Sequence, residues 1–169
     1  MSNSEIPVSG SLNIKKLAAA LILLIAVLAV AFLYLNRPGH LVLINEETKE
    51  EIARYPARKG DTFGIGFIHS VNKSPVTDYY EIRSDGIYVV KTVYYGFGAG
   101  VQTQLEEGQK MEYGEDGSMI ITGFDRRMDD LVYFVGTVSD HTLTLDDGQQ
   151  ISLRDLCGRN TKVRFSYKK

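Results

Sequence analysis

The chain has 169 residues, with 19 Lys+Arg against 21 Asp+Glu, a formal net charge of −2, and one cysteine. A slightly acidic chain without a basic cluster argues against nucleic acid as a partner, and a lone cysteine, Cys157, excludes an internal disulfide. Cys157 reads as a small hydrophobe of the core.

In chain order, residues 1–16 (MSNSEIPVSGSLNIKK) have low apolar content and no periodicity, and are expected to form a disordered cytoplasmic tail. Residues 17–35, LAAALILLIAVLAVAFLYL, carry no charge. As a helix rising 1.5 Å per residue this run is roughly 28 Å long, close to the hydrocarbon thickness of a bilayer. Ala29-Val30-Ala31 imitates a signal cleavage site, but Phe32, Leu33, Tyr34 and Leu35 continue the apolar run beyond it, which favours an uncleaved signal anchor over a cleaved signal. Lys15 and Lys16 precede the run, and only Arg37 with His40 follows it closely. That bias favours a single-pass protein of a bacterial cytoplasmic membrane with its C-terminal domain outside.

Residues 36–39 (Asn-Arg-Pro-Gly) read as a linker, and residues 40–169 as one extracytoplasmic β-domain. Strand-like runs follow at HLVLIN (40–45), TFGIGFIH (62–69), TDYYEIRS (77–84), IYVVKTVYY (87–95), SMIITGF (118–124), LVYFVGTVS (131–139), HTLTL (141–145), QQISL (149–153) and TKVRFSY (161–167). Asp85-Gly86, Asp116-Gly117 and Asp147-Gly148 stand between such runs and suit tight hairpins. EETKEEIARY (46–55) fits either a short helix or an extended edge strand. The expected fold is all-β, an antiparallel β-sandwich or open barrel of eight to nine strands, preceded by one N-terminal transmembrane helix.

Two stretches carry candidate chemistry. In FIHSVNKSPVTDYY (67–80), Ser70, Asn72, Lys73 and Ser74 gather donors around one positive charge, and Pro75 is expected to hold the loop extended. Such a cluster suits a carboxylate or the backbone edge of a partner protein. The plain alternative is a solvated connection whose His69 is satisfied by a backbone carbonyl. Catalysis by His69 and Ser70 is disfavoured, because neighbours on a strand point to opposite faces and no nucleophile motif surrounds them. The three histidines are far apart in sequence, and Asp146-Asp147-Gly148 lacks the remaining ligands of a calcium loop, so neither metal nor cofactor is expected. In YYGFGAGVQ (94–102), Gly96, Gly98 and Gly100 alternate with larger residues, which suits a bulge or sharp strand exit; the Lys-Ser/Thr of a phosphate loop is absent. In an up-down-up meander the two stretches end at the same sheet edge.

HSVNKSPVTDYYEI together with GFGAGV resembles the His-Ser-Val, Pro-Val, acidic-residue and Gly-Ala-Gly pattern of a family of small extracytoplasmic proteins, domain of unknown function eighteen-fifty. The resemblance covers roughly residues 40–168 and rests on His69, Ser70, Val71, Pro75, Val76, Asp78, Gly98, Ala99 and Gly100. Val101-Gln102 stand where that family commonly has a proline. The resemblance implies an association with the permease of TAXI-type TRAP transporters, which import organic acids with a separate binding protein. It carries no catalytic role. The expected function is a non-catalytic membrane-anchored accessory protein contacting the permease or binding protein, with His69, Ser70, Asn72, Lys73, Pro75, Asp78, Gly98, Ala99 and Gly100 as the expected interaction residues and His69, as an imidazole, their pH-sensitive member. The alternatives are an extracytoplasmic domain that captures a small carboxylate and, least favoured, a hydrolase using Ser70 and His69.

Overall fold

In the computed structural model, which describes residues 14–35, 37–96, 102 and 104–169, the uncharged run is one helix, α1 (Ile14–Leu35). It begins before the expected span and takes in Lys15 and Lys16, since nothing at that boundary breaks a helix. Ile14–Tyr34 is long and apolar enough to cross a membrane. The Arg37 guanidinium sits 4.4 Å from the centre of the Tyr34 ring, a pairing suited to a membrane interface. The expected disordered tail lies, up to residue 13, outside the described residues.

Pro38–Lys169 forms a second unit. Its elements are β1 (Gly39–Asn45), β2 (Glu51–Ala57), β3 (Thr62–Ile68), β4 (Pro75–Arg83), β5 (Gly86–Tyr94), β6 (Lys110–Tyr113), β7 (Met119–Arg127), β8 (Val132–Val135), β9 (His141–Thr144), β10 (Gln150–Ser152), a short helix α2 (Leu153–Cys157) and β11 (Thr161–Lys168). One sheet has the order β2-β1-β11-β8 and the other β10-β9-β3-β4-β5-β7-β6, with every pairing antiparallel.

The all-β antiparallel fold is as expected, with eleven strands rather than eight or nine. The two extra strands, β2 and β6, are sheet edges rich in charge, and an edge strand with one row of partners needs no apolar alternation to form. β2 settles EETKEEIARY as turn and edge strand. Glu47 and Thr48 donate their amides to Asn45 Oδ1, closing the turn that a helix would otherwise have occupied. The three Asp-Gly pairs lie at the β4–β5, β6–β7 and β9–β10 hairpins; Gly117 (φ 76°) and Gly148 (φ 84°) take the left-handed conformation that selects glycine there. Sequence reading missed α2. Its signals are Ser152, whose Oγ accepts from the Asp155 amide at 3.0 Å, and Gly158 just past its end.

The core lies between the two sheets. Alternation in β3 puts Phe63 and Ile65 inward, β4 adds Tyr80 and Ile82, and β9 adds Leu143; Leu41, Leu43, Val163 and Phe165 face them from β1 and β11. Phe63 stacks across the gap on Phe165, with ring centres 6.0 Å apart. Each such side chain stabilises the sandwich by about 2 kcal/mol. Cys157 packs against this core as expected, and burial pushes its thiol pKa up.

Candidate functional site

FIHSVNKSPVTDYY is a hairpin. Ile68 pairs with Pro75, the His69 amide donates to the Ser74 carbonyl at 2.9 Å, and the Lys73 amide donates to the His69 carbonyl at 3.0 Å. The loop is therefore tightly curled and not extended; only Ser74, immediately before Pro75, feels the proline. Among the described residues the His69 ring bonds no backbone carbonyl. Its Nδ1 accepts the Val71 amide at 3.3 Å. Lys73 has φ 56°, a left-handed conformation that costs a lysine about 1 kcal/mol.

Several polar groups around this hairpin have no partner. The Asn72 amide nitrogen and oxygen, the Ser74 hydroxyl and Arg154 Nε are all buried without a hydrogen bond among the described residues. A buried polar group left unpaired costs about 1–3 kcal/mol, so each of these is a costly position among the described residues.

An open cleft of about 1040 Å³ lies beside the loop. His69, Ser70, Lys73 and Pro75 line it, with Thr77 and Tyr79 of β4, the 136–140 connection, Thr142 and Thr144 of β9, and Arg154 of α2. Pairing of β3 with both β4 and β9 explains the convergence: the end of β3, the start of β4 and the start of β9 lie together. Neither Lys73 nor Arg154 has an ion-pair partner among the described residues; Arg154 Nη2 donates only to the Val138 carbonyl, at 3.0 Å. The one carboxylate of the cleft, Asp140, is occupied by the Ser152 hydroxyl at 2.6 Å and by the amides of His141 and Arg154. Burial alone would raise its pKa, but those hydrogen bonds outweigh burial and hold it below the usual carboxylate value.

Asp78 lies apart from this cleft. Its side chain turns between the sheets, where Oδ1 accepts from Thr92 at 2.8 Å and Oδ2 from the Tyr133 hydroxyl at 2.7 Å, with Tyr80 and Tyr133 hydroxyls 2.7 Å apart. Burial, followed by the Asp78 charge, pushes the pKa of both tyrosines up, so they stay neutral donors. Gly98, Ala99 and Gly100 lie outside the described residues. Gly96, which leads into them, is held against the hairpin: a Cβ there would stand 3.0 Å from Ser74 Cβ, and Tyr94 pairs with Val76. The entry to the second stretch thus meets the first at one sheet edge, as the meander predicts.

His141 closes the inner side of the cleft, with its ring centre 5.3 Å from Phe67 and 5.7 Å from Tyr133, and its Nδ1 buried without a partner among the described residues. Burial lowers its pKa most; Asp140 opposes that and Arg154 adds to it. The sign follows directly. Below about pH 6.5 the unfolded chain takes up a proton that the folded imidazole refuses, so this contribution to stability is present above that pH and is lost as pH falls. His141→Phe keeps the ring packing, and urea melts at about pH 7.5 and about pH 5.5 should show a smaller acid loss for the variant than for the parent. An equal loss in both would remove His141 as the cause.

Sequence reading missed Arg154, Thr142 and Tyr133. The capping pattern Ser152-x-x-Asp155 could have placed Arg154 at a helix start, but no local signal could have placed it beside His69.

The family model described as Domain of unknown function (DUF1850) matches residues 63–153, a narrower span than the expected 40–168. It contains almost the whole seven-stranded sheet, the cleft apart from Arg154, and both candidate stretches, and it leaves out β1, β2 and β11. No curated protein and no solved structure matches the chain.

Proposed function

The chain belongs to the family described as Domain of unknown function (DUF1850), a description that names no reaction, and from its own geometry we propose a non-catalytic, membrane-anchored protein whose cleft captures a small carboxylate. The observation that carries this reading is a pair of cations, Lys73 and Arg154, without an ion pair among the described residues, opening on one cleft of about 1040 Å³ where Asp140 is the single carboxylate among those residues. Two cations against the single Asp140 carboxylate leave the cleft lining with excess positive charge, which suits an anion, and the His69 and Ser70 side chains add polar contacts. A binding role fits the loop better than catalysis: among the described residues no hydrogen bond joins Ser70 to His69, and His69 Nδ1 is engaged by Val71. The flanking lysines of α1 support a domain held outside the cytoplasmic membrane.

The test is calorimetric titration of the full-length chain in detergent micelles with acetate, succinate and gluconate. Saturable heat with any of these, weakened by Lys73→Gln, is the expected result. No saturable heat with any of them would sink the reading.

A second reading is favoured by exposed apolar side chains around the cleft. Ile68 is 45 % exposed, Val71 66 %, Phe134 53 % and Val138 88 %. Apolar residues left open around a polar cleft suit docking to a protein partner, here the permease or binding protein of a TAXI-type TRAP transporter. Purification of the tagged protein from native membranes should then recover a permease, and Val71→Asp with Val138→Asp should release it.

A further inference from the structure

We propose that the ligand of the cleft is a polyhydroxylated carboxylate, such as a sugar acid, lying along β3 with its carboxylate toward Lys73 and Arg154. This rests on the carboxylate reading above and adds the chemistry of the rest of the ligand.

The argument starts from two glycines inside a strand. Gly64 and Gly66 stand in the middle of β3, where glycine weakens a strand and lets a neighbour approach the backbone closely. At Gly64, which is buried, that neighbour is the Tyr79 ring, 3.2 Å from where a Cβ would stand, whereas Gly66 opens on the cleft. Their register shows what surrounds the approach. Gly66 lies directly between Thr77 of β4 and Thr142 of β9, and Gly64 between Tyr79 and Thr144. Side chains opposite one another in an antiparallel sheet share a face, so both rows stand on the outer surface, opposite the face that buries Phe63 and Ile65.

The result is a groove whose backbone floor is open at Gly66 and closed at Gly64 by the Tyr79 ring, with threonine hydroxyls along its walls. Strands about 4.8 Å apart put the two walls about 10 Å apart, and the rows are about 7 Å apart along β3. From Gly66 to Ile68 the groove runs about 7 Å along β3, and it continues to His69 and Lys73. A Cβ on Gly66 would come within 3.2 Å of Thr77 Oγ1, so any larger residue would fill the floor.

The hydroxyls are free to bond a ligand. Among the described residues those of Thr77, Thr142 and Thr144 make no hydrogen bond to protein, whereas Thr92 donates to Asp78 and Thr62 to Asp146. All three face the same cleft as Lys73 and Arg154. Because Ser152 pairs with Thr142, Arg154 emerges at the end of the groove where His69 and Lys73 also stand. Charge is therefore at one end and neutral donors and acceptors along the length. A hydrocarbon acid would leave the threonines without partners, and a neutral polyol would leave the cations without one.

The experiment titrates the full-length chain in detergent micelles with D-gluconate, hexanoate and sorbitol, and repeats the gluconate and hexanoate titrations with Thr77→Val and Thr142→Val. Valine conserves shape in a strand and removes only the hydroxyl, and thermal melts of both variants confirm that they fold. Gluconate should bind at least tenfold more tightly than either hexanoate or sorbitol, and each valine should weaken gluconate roughly fivefold while leaving hexanoate unchanged. Equal affinity for gluconate and hexanoate, or valine variants that bind gluconate like the parent, would overturn the hydroxylated ligand and leave a carboxylate site standing. Binding of none of the three would overturn both.

Discussion

Lys73→Gly will weaken carboxylate binding by roughly tenfold or more without lowering the melting temperature. The two halves of that result have separate causes. The ammonium faces the cleft with no partner among the described residues, so a charge-assisted hydrogen bond to a ligand carboxylate, about 1.5–3 kcal/mol, is what the variant loses. The backbone at Lys73 has φ 56°, where glycine fits without steric cost, so the fold should be unchanged or more stable by about 0.5 kcal/mol. A residue kept at an unfavourable backbone angle against stability is what a functional position looks like. Combining it with Arg154→Gln should lower affinity at least a hundredfold, because both cations are then gone. Calorimetry and a thermal melt on the same samples decide the matter. If Lys73→Gly melts lower and binds normally, the lysine holds the turn and has no part in a site.

Asp78→Ala will destabilise the β-domain by about 3 kcal/mol. The carboxylate accepts from Thr92 and Tyr133, and Thr92 is only 4 % exposed. Truncation strands two buried hydroxyls and opens a gap between the sheets, and each stranded group costs about 1–3 kcal/mol. Tyr133 can turn its proton to Tyr80, 2.7 Å away, which is why the loss stays below the sum. Tyr133→Phe should cost less, about 1–2 kcal/mol, and the double variant less than the two singles added, since both act on one network. Urea denaturation at neutral pH measures all three. Should Asp78→Ala instead leave stability intact and lower carboxylate binding, Asp78 would join the cleft residues as the family resemblance implied, through a rearrangement of the inter-sheet network.

Which parts of the candidate site were legible from sequence follows from how far apart their determinants lie. His69, Ser70, Lys73 and Pro75 sit in one short hairpin, and the clustering of polar residues before a proline marks them. Thr142 and Arg154 stand more than sixty positions further on, and nothing in HTLTLDDGQQISLRDL distinguishes a cleft wall from any solvated strand. They reach the site only because β9 pairs with β3 and β10 with β9. Asp78 was singled out by its motif, yet alternation along β4 turns it inward with Val76 and Tyr80, away from the loop beside it.

The sequence by itself determined the long apolar helix, most of the strands and the three Asp-Gly hairpins, because each follows from a run of apolar residues, a period of two, or a glycine at a turn, all local preferences of the chain. Tertiary structure decided what pairs with what. It recruited the charged edges β2 and β6, brought Gly96 against Ser74, set Gly66 of β3 between Thr77 and Thr142, and placed Arg154 and Lys73 on one cleft. Those arrangements depend on hydrogen-bond register between strands distant in sequence and on the packing of one sheet against another, and neither leaves a local trace in the residues that end up side by side.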